Sequence, residues 1–212
     1  MTRTAAVRFA VEPSAVVIAA ADRSATPLNP EQRERHERLR QQQDRDDFVA
    51  ARLLTQQLVT EATGQPADEV AFTQRCDHCG GPHGRALTDS PGQPHVSWSH
   101  ATGWVAAVVG PRPCGIDVEP ITDRPPVFDV LTTGEQDDVR SASEGRPQAV
   151  AFLRLWVRKE ALLKAAGTGL TDQAALAQLD VRDDQLTYAG HSWQLTDLTT
   201  PDDVRAAIAV RS

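Results

Sequence analysis

Two stretches of the chain place carboxylates where they could share a cation. In Gly115–Glu119, GIDVE, Asp117 and Glu119 stand two residues apart, and in an extended strand alternate side chains share a face. Both anions then point one way while Ile116 and Val118 point the other. In Trp156–Gly167, WVRKEALLKAAG, the four-residue spacing of Trp156, Glu160 and Lys164 sets them on one stripe of a helix. Each stretch has an ordinary reading. A D-x-E strand is commonly one with a solvated face, and Glu160 followed by Lys164 is the favoured order for a surface ion pair worth about 0.2–0.5 kcal/mol. Context argues for more. GIDVE follows the apolar run WVAAVV and a Cys-Gly pair, so its strand is expected to be interior, where unpaired anions are costly. The helix carries Leu155, Leu162 and Leu163 around much of its circumference, and a stripe that begins with Trp is not one built for solvent. Magnesium answers the need for positive charge: it takes oxygen ligands, keeps several waters and joins carboxylates to substrate phosphates. If the helix lies against the strand, Glu160 becomes a third carboxylate for that cation, and Lys164 one turn on reaches a phosphate or leaving oxygen.

The elements that must position these residues follow from pattern. Strands are expected over 5–9 and 15–21, then a helix opened by Asn29 as cap with Pro30 at its first position. A second helix, DRDDFVAARLLTQQLVTEATG, shows Phe48, Leu54, Leu58 and Val59 at helical period and stops at Gly64. Residues 65–92 read as loop. HVSWSHATGWVAAVVG and CGIDVEP read as strands, and the turn around GPRP predicts an antiparallel hairpin between them. A short helix over 129–140, the break SASEGRPQ and the long motif-bearing helix come next. Three strands are expected in the tail. Groups of strands and helices recurring once per half predict an α+β fold. The expectation is two similar lobes in a pseudo-twofold arrangement, each an antiparallel sheet packed with helices: 1–110, and 111–212 with the metal site and the catalytic helix. The active site is then at the lobe interface.

Composition narrows the function. Lys plus Arg number 22 against 29 Asp plus Glu, a formal charge of -7, so no whole-molecule field draws nucleic acid and any anionic ligand must be met locally. The apolar runs are too short to span a bilayer and the first residues lack a signal-peptide layout, so a cytoplasmic protein without membrane partners is expected; a monomer is the expected state. Cys76, Cys79 and Cys114 form no disulfide framework. In CDHCGGPHG, Cys76 and Cys79 with His78 and His83 could supply four zinc ligands, but no second ligand pair follows; a Gly-Pro turn holding two small thiols is the other reading.

With these motifs the chain resembles the 4′-phosphopantetheinyl transferases of the Sfp type, within the holo-carrier-protein synthase superfamily. The family's G-[IV]-D-[VI]-E strand stands here as Gly115 to Glu119, its W-x-x-K-E-A-x-x-K-x-x-G helix as Trp156, Lys159, Glu160, Ala161, Lys164 and Gly167, and its S-x-S-H segment as Ser97, Trp98, Ser99 and His100. The resemblance spans about residues 45 to 170. It implies transfer of the phosphopantetheine arm of coenzyme A to a serine of an acyl or peptidyl carrier protein, releasing adenosine 3′,5′-bisphosphate, in polyketide, nonribosomal peptide or fatty acid synthesis. Carried over by position, Asp117, Glu119 and Glu160 would hold magnesium, or manganese. Glu160 would accept the serine proton and Lys164 would stabilise the departing phosphate. Arg52, Arg85, Ser99, His100, Asp117, Lys159 and Lys164 would contact coenzyme A. The chain departs from the family at Gly84, Arg85, Ala86, where G-K-P is usual; Arg85 keeps the charge and loses the proline. Two rival readings remain: a magnesium-dependent hydrolase of nucleotide pyrophosphates, and a non-catalytic module that binds carrier proteins.

Overall fold

The structure is a computed structural model that describes residues 6–21, 28–75, 80–81, 84–90, 92, 94–169 and 173–212. Strand β5 (Trp104–Gly110) explains much of the architecture. Its run VAAVV is apolar at every position because both of its faces are covered. Val105, Ala107 and Val109 pack under helix α3 (Gln42–Thr63), against Ala50, Ala51, Leu54 and Leu58. Ala106 and Val108 face the other way, onto Cys114, Ile116 and Val118 of β6 (Cys114–Pro120) and Val204, Ala206, Ile208 and Val210 of β9 (Val204–Arg211). In the sheet, β5 lies between β1 (Arg8–Pro13) and β4 (His95–Ala101), antiparallel to both. The β4–β5 hairpin turns at Thr102 and Gly103, both with positive φ, as a two-residue hairpin loop requires.

The C-terminal strands form a second antiparallel sheet in the order β6-β9-β8-β7, with β7 at Gln185–Tyr188 and β8 at His191–Asp197. Helix α5 (Arg146–Ala166) lies on it, burying Leu155, Ala161, Leu162, Leu163 and Ala165 against Trp193, Leu195 and Ala209. Among the described residues, no strand of 8–110 joins this sheet, and none of 114–211 joins the first. The class is therefore α+β, as the pattern predicts, with antiparallel sheets packed against helices.

Locally the helix signals hold. Helix α2 (Pro30–Arg38) has a full capping box: Asn29 Oδ1 accepts from the Gln32 backbone N–H and Gln32 Oε1 accepts from that of Asn29. Gly64 ends α3 in the left-handed region. Helix α4 (Thr133–Ser141), preceded by a short 3-10 turn at 128–130, and strands β7 to β9 fall where pattern places them. A four-residue helix α6 (Gln173–Leu176) precedes the tail strands.

Three expectations are corrected. Residues 15–21 are no strand: helix α1 (Ser14–Ala20) occupies them. Strand β1 ends at Pro13, the Ser14 hydroxyl donates to Asp47 of α3, and Val17 packs into the α3 core, so tertiary contacts override the β propensity of Val16, Val17 and Ile18. No hairpin bridges GPRP, because both edges of β5 are taken by β1 and β4, and β6 pairs instead with β9, far along the chain. The loop-rich stretch contains a two-stranded sheet, β2 (Phe72–Arg75) with β3 (Arg85–Thr88).

Candidate functional site

The site begins with Gly115. A Cβ on this residue would lie 2.1 Å from the Ala161 carbonyl oxygen and 2.5 Å from the Ala165 nitrogen, so only glycine lets β6 come this close to α5. The alternation of β6 then turns Asp117 toward the last turns of α5, while Ile116 and Val118 enter the inter-sheet core. Lys164 Nζ donates to Asp117 Oδ1 at 2.6 Å, to Ser99 Oγ at 2.9 Å and to the Ile116 carbonyl at 3.3 Å. Ser99 Oγ in turn donates to Asp117 Oδ1 at 2.7 Å. One ammonium thus joins β4, β6 and α5, and the strand and helix motifs meet as the sequence predicts.

The carboxylates outnumber their partners. Asp117 Oδ2 and Glu160 Oε1 are both buried with no hydrogen-bond partner. Desolvation, then the charge of Asp117, raises the pKa of Glu160 to about 7. Glu119 is raised to about 7 by the same two causes in the same order, although the Trp156 side chain hydrogen-bonds to it. Unpartnered buried carboxylate oxygens are expensive. Among the described residues no three of His, Cys, Asp and Glu close into a ready metal cage, and one oxygen of Asp117 is held by Lys164. Magnesium does not need a full protein cage: one or two carboxylates plus waters and phosphate oxygens suffice. The free oxygens of Asp117 and Glu160, with Glu119 beside them, are donors of that kind.

A second cluster lies at the α2–α3 side. Arg52, only 2% exposed, donates from Nη1 to the Phe48 carbonyl and lies with its guanidinium carbon 3.3 Å from the centroid of the Phe48 ring. Its Nε is buried without a partner. Desolvation, then the nearby Arg35, lowers its pKa to about 9. The cleft outside, about 600 Å³, is lined by Gln32, Glu34, Arg35, Arg38, Arg52 and Gln74. His100 packs edge-on to Phe48 and has its pKa lowered by desolvation, then by Arg52. Arg35 and Arg38 escaped the motif analysis because α2, RERHER, reads as an ordinary charged helix; the signal present was two arginines one turn apart beside a helix bearing a third.

Two predicted cofactor contacts are placed elsewhere. Lys159 has no exposed surface: its Nζ pairs with Glu135 Oε2 at 2.8 Å and donates to the Leu176 and Leu179 carbonyls. Glu135 also caps α4 and accepts from the Val181 N–H. Lys159 therefore joins α4, α5 and the segment before β7 through an interior ion pair. Arg85 does not line the Arg52 cleft; its Nη2 donates to the Ala165 carbonyl at 2.6 Å. Beside it, His95 has its pKa lowered by desolvation, then by Arg85. Cys76, Cys79, His78 and His83 lie outside the described residues. Cys114 is buried, and burial pushes its thiol up to about 12. Among the described residues no helix is long and apolar enough to cross a membrane.

The antiparallel α+β chain thus has a carboxylate and lysine cluster where its two sheets meet, and a separate cleft lined by Arg35, Arg38 and Arg52 together with Glu31 and Glu34. Residues 113–209, which carry Asp117, Glu119, Glu160 and Lys164, match the family model of the 4′-phosphopantetheinyl transferase superfamily, the family read from the motifs. The chain is similar to a 4′-phosphopantetheinyl transferase of Bacillus subtilis, 27% identical over 154 residues that cover 71% of this chain and 65% of that protein. It is also similar to the 4′-phosphopantetheinyl transferase psf-1 of Bacillus pumilus, 27% identical over 143 residues, 66% of this chain and 58% of that one. The chain thus matches less than two thirds of the length of these relatives.

Proposed function

We propose that this protein transfers the 4′-phosphopantetheine moiety of coenzyme A to a serine hydroxyl of an acyl or peptidyl carrier protein. The observation that carries the reading is the pair of unpartnered carboxylate oxygens, on Asp117 and Glu160, set around the Lys164 ammonium. Asp117, Glu119 and Glu160 are the residues that would hold magnesium, which when bound supplies charge neutralisation for the pyrophosphate. The reaction forms an oxygen–phosphorus bond from the serine, breaks the pyrophosphate bond and releases adenosine 3′,5′-bisphosphate. Such transfer is mostly positioning and charge stabilisation.

This chain's residues divide that work. Glu160, raised to about 7 by burial and by Asp117 before any metal binds, is the carboxylate that would accept the serine proton. Lys164 faces the departing phosphate, and Ser99 keeps its ammonium in place. Arg52, with Arg35 and Arg38 at the mouth of its cleft, receives the remaining phosphate charge, with His100 beside it. The first unit, 1–110, thus provides phosphate contacts and the second, 111–212, the metal and proton chemistry. The protein acts in the cytoplasm, as a monomer, on carriers of polyketide, nonribosomal peptide or fatty acid assembly.

The deciding experiment incubates the protein with coenzyme A and apo-carrier proteins, with and without magnesium. The carrier is expected to gain the mass of one phosphopantetheine arm only when magnesium is present. Loss of coenzyme A with no change in carrier mass would mark a pyrophosphate hydrolase and refute the reading.

A further inference from the structure

We infer that Arg85 is a positioning residue: it straps the last turn of α5 to the N-terminal sheets and so places Lys164. The inference rests on the transferase reading for its kinetic consequence, and on the fold alone for its geometry. Arg85 opens β3, opposite Arg75 in the two-stranded sheet. From there its Nη2 crosses to the Ala165 carbonyl, 80 residues along the chain, at 2.6 Å. That carbonyl belongs to the end of α5, where the final C=O groups lack helical partners and the helix dipole presents partial negative charge. A guanidinium there makes a charge-assisted bond in a half-buried setting. The Gly167 cap, with φ 76, brings the chain around the same side chain: a Cβ on Gly167 would be 3.6 Å from Arg85 Nε.

Ala165 directly follows Lys164, and Lys164 is itself held from the first unit by Ser99 Oγ. Among the described residues, the last turn of α5 is therefore hydrogen-bonded to the first unit at two points, one on its backbone and one on its ammonium. Removing the backbone tie frees the turn to pivot, and the Lys164 contacts to Ser99 at 2.9 Å and Asp117 at 2.6 Å are the ones that stretch. Arg85 thereby has a role different from a phosphate contact, and the two roles separate kinetically. A strap acts on kcat through Lys164, and a phosphate contact acts on coenzyme A binding.

The test uses Arg85→Met and Arg85→Lys in the full chain, with three readouts: transfer kinetics, coenzyme A affinity by calorimetry, and the rate at which acetic anhydride labels Lys164, followed by peptide mass mapping. Arg85→Met is expected to lower kcat about tenfold, leave the KM and Kd for coenzyme A within about twofold, and speed Lys164 labelling. Arg85→Lys, which still donates to a carbonyl, is expected to restore most of kcat and the slow labelling. A raised Kd with unchanged kcat would overturn the inference in favour of phosphate contact. A lowered melting temperature with unchanged labelling and kcat would overturn it in favour of a merely structural bond. If the wild-type protein modifies no carrier, the transferase reading fails, and Lys164 labelling still decides the strap.

Discussion

Gly115→Ala tests how the site is assembled more directly than removing any of its charged groups. The added methyl carbon would sit 2.1 Å from the Ala161 oxygen, 2.5 Å from the Ala165 nitrogen and 3.1 Å from the Ala165 Cα. An ordinary carbon–oxygen contact is about 3.3 Å, so the shortfall is about 1 Å. All three atoms are helix backbone, and no side-chain rotation relieves them. Strand β6 and helix α5 must therefore separate by about that distance. The Lys164 to Ile116 contact, already 3.3 Å, is then lost, and the Lys164 to Asp117 contact opens from 2.6 Å to about the outer limit of a hydrogen bond. Overpacking of this kind costs about 1–3 kcal/mol of stability, and a displacement of about 1 Å in a phosphoryl-transfer site is expected to cost about a hundredfold in turnover. Urea denaturation and carrier modification measure the two. Gly134→Ala is the control: the three atoms nearest its Cβ all belong to the guanidinium of Arg182, the far end of a long, partly exposed side chain, near the start of α4. That variant is expected to stay within about 1 kcal/mol of wild type, since alanine is also the better helix former. A Gly115→Ala protein with wild-type stability and turnover would refute the close-approach argument.

Glu160→Gln is expected to abolish transfer yet stabilise the metal-free protein at pH 8. Because the folded pKa of Glu160 is raised from 4.5 to about 7, the native state holds a proton that the unfolded chain has released, so this residue's contribution to stability falls as pH rises from 4.5 to about 7 and is level above. The difference in melting temperature between variant and wild type should shrink toward zero as pH falls to 4.5; a pH-independent difference would remove Glu160 from the carboxylate cluster. Lys159→Met strands Glu135 in the interior and is expected to cost about 3–5 kcal/mol in denaturant unfolding. If instead stability holds and coenzyme A affinity drops, Lys159 contacts the cofactor after all. Arg52→Ala is expected to raise the KM for coenzyme A about ten- to hundredfold, the value of charged hydrogen bonds of about 1.5–3 kcal/mol, with kcat little changed in steady-state assays.

The residues legible in the sequence were those whose geometry depends on one element's period. Asp117 shares its strand face with Glu119, and Glu160 its helix stripe with Lys164, whatever surrounds them. Lys159 shows how a motif can override this logic. It stands one residue from Glu160, about 100° around the helix, so the periodicity that joined Trp156, Glu160 and Lys164 already directed Lys159 elsewhere. The partner that claims it, Glu135, reads in the sequence only as the third residue of a capping box. Pairing between distant segments was not legible. WVAAVV shows that β5 is buried on both faces, but no single stretch shows that β1 and β4 take its edges or that β6 pairs with β9 on the return of the chain. The glycine of GIDVE is visible as a letter, and its reason, the helix backbone 2.1 Å from a missing Cβ, exists only in three dimensions.

Among the buried groups that lack a partner, those of Arg52 and of the Asp117–Glu160 pair carry opposite chemistry. At Arg52 a buried donor, Nε, lacks an acceptor, and the guanidinium is held at a lowered pKa beside Arg35. At Asp117 and Glu160 buried acceptors lack donors, and the carboxyls of Glu119 and Glu160 are held at a raised pKa beside the Lys164 ammonium. Under the proposed transfer, moving protons alone relieves neither, because Arg52 would have to surrender its charge and Glu160 would already hold the proton it has to accept. On the reading proposed, a single substrate offers both remedies, since a nucleotide carrying phosphates and an associated divalent ion brings anions to the arginines and a cation to the carboxylates. The affinity of each end should then depend on the other, and coenzyme A titrated without magnesium is expected to bind through the Arg52 side alone, so that Arg52→Ala removes binding there while Glu160→Gln leaves it unchanged. Equal losses from the two variants in metal-free calorimetry would show that the division is wrong.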